Sequence, residues 1–393
     1  MKKRTIAIYS GTIPTTTFIE NLINGISKTE TVYLFGKKRR NISYKSYNVK
    51  QFPVFNNSFI NILVTFFRLL QLLFYPKRIF ILFKELNKFN DFSERLNWLI
   101  RYVPVLLHLP SVFHVQWAKD VKYWFFLQEE LDIPIALSLR GAHVNYSPII
   151  DKNLAKEYSF YFPKIRTFHA VSSAIALEAE KYGASPKSIK VLHSPISEKV
   201  FNQYKNTSVN RSEPEYKILS VGRHHWKKGY EDAIKVMSLL KGRGFKFTYD
   251  IIASGKVSEE LIYLKNQYNL EEVNFLNGLE QEQLFTKMQQ YDILLLPSIE
   301  EGIANVVLEA MAIGLPVITT DCGGMKEVIN DEENGWIVSV GDIEKMAETI
   351  QQVSELPKEK LSLVKKKAHE TIEEQFHEEK VIPQFIEWYY KIS

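Results

Sequence analysis

The sequence predicts an α/β protein of two doubly wound parallel-sheet domains, and three observations carry the prediction. Short β-branched runs bounded by turn residues alternate with helical periodicity from end to end. Several of these runs are apolar throughout, the pattern of strands covered on both faces. A polar stretch divides the 393 residues, 45% of them hydrophobic, into two lengths that each suffice for a core of roughly 150–200 residues.

In the first half, strands are expected at Thr5–Tyr9, Thr31–Phe35, Val112–Val115, Ile133–Leu139, Thr167–Val171 and Ile189–Leu192. In the second they are expected at Lys217–Val221, Thr248–Ala253, Val273–Leu276, Asp292–Leu296, Pro316–Thr320 and Gly335–Val338. Residues 194–215 carry Pro195, Asn202, Asn206, Asn210 and Pro214 before a fresh strand begins, and mark the linker. The expected domains are therefore 1–205 and 206–375. Residues 376–393 read as a terminal helix whose aromatic face, Phe385, Trp388, Tyr389 and Tyr390, packs back on the first domain. Open parallel sheets bind ligands beyond the carboxyl ends of their strands, so functional residues are expected in the loops after strands, in a cleft between the domains.

Composition excludes a small stapled domain and a disordered chain. The formal charge of +5 hides a split: residues 1–205 hold 29 Lys+Arg and 14 Asp+Glu, and the remainder 21 and 31. A basic first half suits an anionic partner, and on charge alone nucleic acid, anionic lipid and a phosphorylated substrate all fit. The single Cys322 and the absence of a signal-peptide pattern predict a reducing cytoplasm. The stretch from Phe59 to Phe83 is interrupted by Asn61, Arg68, Gln71, Pro76, Lys77 and Arg78, too often for a membrane span. Two readings of it stay open, a peripheral contact with an anionic membrane surface and a buried helix with basic ends.

Two motifs carry chemistry. After the strand Lys217–Val221 come Gly222, Arg223, Lys228 and Gly229, then a helix. The glycine permits a sharp turn, the arginine fork suits phosphate oxygens, and the lysine adds a mobile charge. Solvated basic residues at a helix start would look the same. The second motif follows the strand Asp292–Leu296 and runs from Pro297 to Ala312, with Glu301 and Glu309 eight apart. Glu301 precedes a glycine in a loop that ends at a helix N-terminus, where free N–H groups bind oxygens. Glu309 is a carboxylate among apolar neighbours that needs hydrogen-bond partners, and sugar hydroxyls would serve; a surface-facing glutamate is the alternative.

These residues resemble the retaining nucleotide-sugar glycosyltransferases of family 4, exopolysaccharide or colanic-acid type, whose hallmark is Glu-x7-Glu with the second glutamate in Glu-Ala-Met-Ala. The similarity continues through Gly314–Thr320, Gly323-Gly324, Glu327–Ile329 and Asn334-Gly335, and more loosely through Pro14–Ile19, His169–Ser172 and Val191–Pro195. It implies the GT-B fold, two Rossmann-like domains across a cleft, the first for the acceptor and the second for the donor. It further implies that Arg223 and Lys228 contact the diphosphate, Glu309 the ribose, and Glu301 with Gly302, Ile303, Ala304 and Asn305 the transferred sugar. Gly278 would lie near the base and Gly11 near the phosphates. Arg140 and His143 stand where many members carry an acceptor-side histidine, and His143 suits a proton acceptor or an orienting group.

The expected function is transfer, with retention, of a sugar from a UDP- or GDP-sugar to a hydroxyl of a glycan or lipid-linked oligosaccharide in surface polysaccharide synthesis. A nucleotide-sugar epimerase or hydrolase of the same fold, or a non-catalytic nucleotide-binding subunit, is the alternative. Cofactors are expected to be none. No Asp-x-Asp occurs, and no metal is expected, with Arg223 and Lys228 supplying the charge. The protein is expected in the cytoplasm, with a peripheral contact on the inner face of the plasma membrane, and no motif supports nucleic acid.

Overall fold

A computed structural model describes residues 4–205 and 215–393, so Met1–Lys3 and the linker positions Asn206, Asn210 and Pro214 lie outside the described residues. The chain divides into two units. The first gathers the residues up to Val171 with Ala176–Leu192 and Val381–Ser393; the second comprises Ser172–Ile175 and His193–Lys380. Residues 193–205 group with the second unit because their backbone is tied there. Ile196 N–H donates to the Phe376 carbonyl at 2.8 Å and Lys205 N–H to that of Ile313 at 3.2 Å.

The first unit is a seven-stranded parallel sheet of β1 (Thr5–Ile13), β2 (Thr31–Lys38), β3 (Val49–Val54), β4 (Val112–Val115), β5 (Ile135–Leu139), β6 (Thr167–Ala170) and β7 (Ile189–Val191). Their order is β3-β2-β1-β4-β5-β6-β7, so the winding reverses between β1 and β4. Strands β4 and β5 are buried throughout, which is why they read as continuous apolar runs. The sequence pattern omits β3: Val-Lys-Gln-Phe-Pro-Val is neither apolar throughout nor alternating, and its Pro53 fits an edge strand with no neighbour on one side.

The helix Ser58–Leu72 turns its apolar stripe away from the sheet. Phe59, Ile62, Phe66, Phe67, Leu70, Leu73 and Phe74 are exposed, whereas the buried positions are Asn61, Thr65 and Leu72. The inward polar face has work to do, since Asn61 accepts from Phe55 N–H at 2.8 Å and donates to its carbonyl at 2.7 Å. Phe80 and Phe83 on the helix Pro76–Leu86 and Phe92 at the start of the next one extend the exposed apolar surface. No helix among the described residues is long and apolar enough to cross a membrane.

The helix Glu378–Ile392 buries Phe385, Trp388 and Tyr389 in the first unit. A polar chain fastens it, and the chemistry of its last member fixes every donor. The Leu192 carbonyl can only accept, so His169 Nε2–H donates to it at 2.8 Å and Nδ1 accepts from the Ser138 hydroxyl at 2.9 Å. Ser138 Oγ then accepts from His114 Nε2–H at 2.8 Å, and His114 Nδ1 accepts from Tyr389 O–H at 2.6 Å. Burial, with His169 and Arg140 adding to it, holds the His114 pKa well below the usual value and keeps that ring neutral.

The second unit is a six-stranded parallel sheet of β8 (Tyr216–Arg223), β9 (Phe247–Ser254), β10 (Val273–Asn277), β11 (Ile293–Leu296), β12 (Val317–Thr320) and β13 (Trp336–Val338), ordered β10-β9-β8-β11-β12-β13. Its winding reverses between β8 and β11, the two strands that precede the motifs. A ligand site is expected at such a switch point, beyond the carboxyl ends.

Candidate functional site in the second unit

β8 ends in Gly222 and Arg223, and the chain returns through a 3-10 turn, Trp226–Lys228, into the helix Tyr230–Gly242. Gly229 joins turn to helix at φ +65°, and a Cβ there would lie 1.9 Å from the Pro297 carbonyl oxygen. Only glycine lets the β8 loop lie against the β11 loop this closely. Ile299 N–H seals the contact by donating to the Lys227 carbonyl at 2.7 Å. The same approach brings Lys228 Nζ to 2.6 Å from Glu301 Oε1 and Lys227 Nζ to 3.7 Å from Oε2, while Ser298 Oγ donates to Oε1 at 3.4 Å. From the other side, Gly323 at φ +56° admits the Glu301 carbonyl, which a Cβ would meet at 1.9 Å.

The charges around Glu301 do not cancel. Burial raises its pKa, but Lys228, then Lys227, and the bonds from Lys228 and Ser298 outweigh burial and hold the carboxyl below its ordinary value. The Lys227 pKa is lowered by burial, with Lys228 and Arg223 adding repulsion and Glu301 opposing. Arg223 is exposed and has no acidic partner among the described residues. Two buried lysines thus face one carboxylate, and Arg223 lies on the same loop. Three buried polar atoms in or beside the same loops lack a hydrogen-bond partner among the described residues: His224 Nδ1, Tyr230 Oη and Asn305 Oδ1. Buried polar groups are normally satisfied, and a cationic loop pair with unfilled polar atoms suits an anionic, hydroxyl-rich ligand.

Asn305 opens the helix Asn305–Ile313, whose N-cap Ala304 contributes no side-chain cap. Ala304 thus offers its first-turn N–H groups no side-chain acceptor. Glu309 lies one turn further on, half-buried, and Gln281 Nε2 donates to its Oε1 at 2.7 Å. Burial pushes its pKa up to about 7 despite that bond. Gly278 precedes the helix of Gln281, and a Cβ on it would come within 3.3 Å of the Ser254 Cβ, at the end of β9.

Of the sequence-predicted residues, Arg223, Lys228, Glu301 and the Gly302–Asn305 loop come together at the switch point, with Glu309 and Gly278 on the adjoining elements. Arg140, His143 and Gly11 belong to the first unit. There Arg140 is 9% exposed and donates through Nη2 to Gln116 Oε1 at 2.9 Å. His143 meets the Trp117 ring at 5.4 Å between centroids, and Gly11 turns at φ +82° beside open space. Sequence reasoning missed Lys227, Ser298, Gln281 and Gln116. The first two adjoin motif residues, but which neighbours a 3-10 turn or a loop points inward has no periodic signature; Gln281 and Gln116 lie on other elements.

Residues 202–371 match the family model described as glycosyl transferases group 1. Among curated relatives, the amylovoran biosynthesis glycosyltransferase AmsK of Erwinia amylovora is 29% identical over 55% of this chain and 54% of its own length. The Escherichia coli protein WcaL, named for colanic acid biosynthesis, is 27% identical over 62% of this chain and 61% of its own. The matches thus span little more than half the length of these relatives. Of solved structures, a Rickettsia africae glycosyltransferase superimposes with TM-score 0.73 at 15% identity over 100% of this chain and 99% of that one. Anabaena Alr3699/HepE, solved with UDP and glucose, gives TM-score 0.73 at 16% identity over 99% and 100%. These likenesses establish the GT-B fold of two Rossmann-like domains.

Proposed function

From the match of residues 202–371 to the group 1 glycosyl transferases we propose that the chain moves a sugar from a nucleoside diphosphate donor to a hydroxyl of a glycan or lipid-linked acceptor in surface polysaccharide synthesis. The observation that carries the reading is the cationic loop pair at the β8/β11 switch point, with its buried Lys228–Glu301 contact and its unfilled polar atoms. UDP and glucose bound to Alr3699/HepE support a nucleotide-sugar donor.

In this reading Arg223, Lys227 and Lys228 receive the diphosphate, Glu309 accepts from ribose hydroxyls, and Glu301 with the Gly302–Asn305 backbone holds the sugar. Gly278 borders the base and Gly11 the phosphates. The bond from the anomeric carbon to the diphosphate oxygen breaks while the acceptor oxygen bonds to the same face. The acceptor proton passes to the departing phosphoryl oxygen, so configuration is retained with no enzymic nucleophile. Charge developing on the leaving group meets fixed cations, a kind of contact whose loss typically costs about 10²–10³ in rate. Those cations make a metal unnecessary. His143 and Arg140 act on the acceptor side. The outward apolar stripe of the helix Ser58–Leu72, with the exposed Lys77 just beyond its end, supports a peripheral contact with an anionic membrane surface.

Thermal-shift screening of the full chain against UDP- and GDP-sugars tests the donor, since binding stabilises by RT ln(1 + [L]/Kd). Hydrolysis or transfer with one of them, undiminished by EDTA and giving the retained anomer by NMR, is the expected result. No response to any nucleotide sugar would overturn the reading.

A further inference from the structure

We propose that Arg140 and Gln116 form an oxyanion subsite at the switch point of the first sheet, so that the molecule bound there carries a carboxylate or phosphoryl group. Arg140 follows β5, Gln116 follows β4, and Gln116 N–H donates to the Tyr9 carbonyl of β1 at 2.9 Å, which puts the pair where the winding reverses. Arg140 is 9% exposed and Gln116 fully buried.

The side-chain partner that Arg140 does have is the wrong kind for a buried cation. Its Nη2 donates to a neutral amide oxygen, its guanidinium lies 4.5 Å from the centroid of the Phe18 ring, and among the described residues no carboxylate pairs with it. A charge taken out of water without a counter-charge is costly, and its removal or an arriving anion would recover that cost. Burial lowers its pKa to about 9, which leaves it cationic at neutral pH. Two buried donors, Arg140 Nε and Gln116 Nε2, also lack acceptors among the described residues. Because Gln116 Oε1 is taken by Arg140, its amide nitrogen is held next to the guanidinium, and the two side chains present only donors. Beyond β1 the space beside Gly11 is open. Fixed donors, net positive charge and no resident acid together describe an oxyanion site.

Calling the occupant the acceptor rests on the transferase reading; the subsite itself does not. The test is thermal unfolding of the full chain at constant ionic strength with sodium glucuronate, inorganic phosphate or glucose, in wild type, Arg140→Met, Gln116→Leu and Lys228→Ala. Lys228→Ala separates this subsite from the cationic loops of the second unit. Glucuronate or phosphate is expected to raise the melting temperature saturably, by roughly 5–11 °C at a hundredfold excess over Kd, in wild type and Lys228→Ala. Glucose should do nothing. A response to glucuronate alone or to phosphate alone identifies the carboxylate or phosphoryl source. In the Lys228→Ala background Arg140→Met should lose the response; alone and without anion it should melt no lower than wild type, because it removes an unpaired buried charge. Gln116→Leu should weaken the response at least tenfold in Kd. An anion response that survives when Arg140→Met is combined with Lys228→Ala, or its absence from wild type, overturns the proposal. Arg140→Met melting several degrees lower would assign the pair to the architecture instead. If nucleotide sugars fail while the anion response stands, the transferase reading falls and the subsite remains.

Discussion

Replacing Lys228 with alanine separates what the buried pair does for the fold from what it does for a ligand. The mutation leaves Glu301, 8% exposed, with Lys227 at 3.7 Å as its remaining cation in place of a contact at 2.6 Å. Removing one partner of a buried pair typically costs about 3–5 kcal/mol, because the other charge stays behind unpaired. Lys227 and Ser298 retain part of the compensation, so about 2–3 kcal/mol is expected here. In a domain of this size that lowers the melting temperature by roughly 5–10 °C. Glu301→Gln in the same background removes the stranded charge, and the double variant should recover at least about 1 kcal/mol, a coupling that a double-mutant cycle by urea unfolding measures. The double variant should nonetheless stay blind to nucleotide sugars in thermal shift, since the cation is still missing. Lys228→Ala within about 0.5 kcal/mol of wild type, with no gain from Glu301→Gln, would refute the idea that these charges are held by one another.

Other parts of the molecule yield sharper single outcomes. Glu309 is raised from 4.5 to about 7, so the folded state holds an extra proton between those values and this group's contribution to stability falls as pH rises through that window. Donor hydroxyls that bind the ionised carboxylate should release a proton, making UDP-sugar binding tighter at pH 8 than at pH 5.5 by calorimetry, and Glu309→Gln should flatten the profile. Gly229→Ala, whose Cβ would meet the Pro297 carbonyl at 1.9 Å, should destabilise the second unit and abolish the nucleotide response together, which unfolding and thermal shift read directly. Phe66→Asp with Leu70→Asp should leave the melting temperature nearly unchanged, as both side chains are exposed, but abolish co-sedimentation with anionic vesicles at low salt. Tyr389→Phe leaves the fully buried His114 Nδ1 without its donor and should cost about 1–3 kcal/mol in urea unfolding.

What the sequence discloses depends on whether the signal is carried by neighbours in the chain. Strands buried on both faces, such as β4, β5 and β11, appear as unbroken apolar runs, and the loops after β8 and β11 keep Gly222, Arg223 and Lys228, or Glu301 and Glu309, within a few residues of each other. Gln281 on Glu309 and Gln116 on Arg140 bridge 28 and 24 residues, and nothing local marks a glutamine for either task. β3 is hidden because an edge strand with a proline in it satisfies neither the continuous nor the alternating pattern.

The helix Ser58–Leu72 exposes a deeper limit. Helical periodicity records that apolar residues share a face; it is the same whether that face meets a core or solvent. Asn61, Thr65 and Leu72 lie on the opposite side from Phe59, Ile62 and Phe66, and only the docking of Asn61 onto the Phe55 backbone says which side is inside. Once that is fixed, the exposed stripe ceases to be evidence for a core and becomes evidence for a partner. A row of phenylalanines and leucines facing water is unfavourable by about 25 cal/mol for every Å² that an apolar partner could cover. The first half of the chain holds the excess of basic residues, and Lys77 on that surface is exposed, which is why the proposed partner is an apolar phase with an anionic rim.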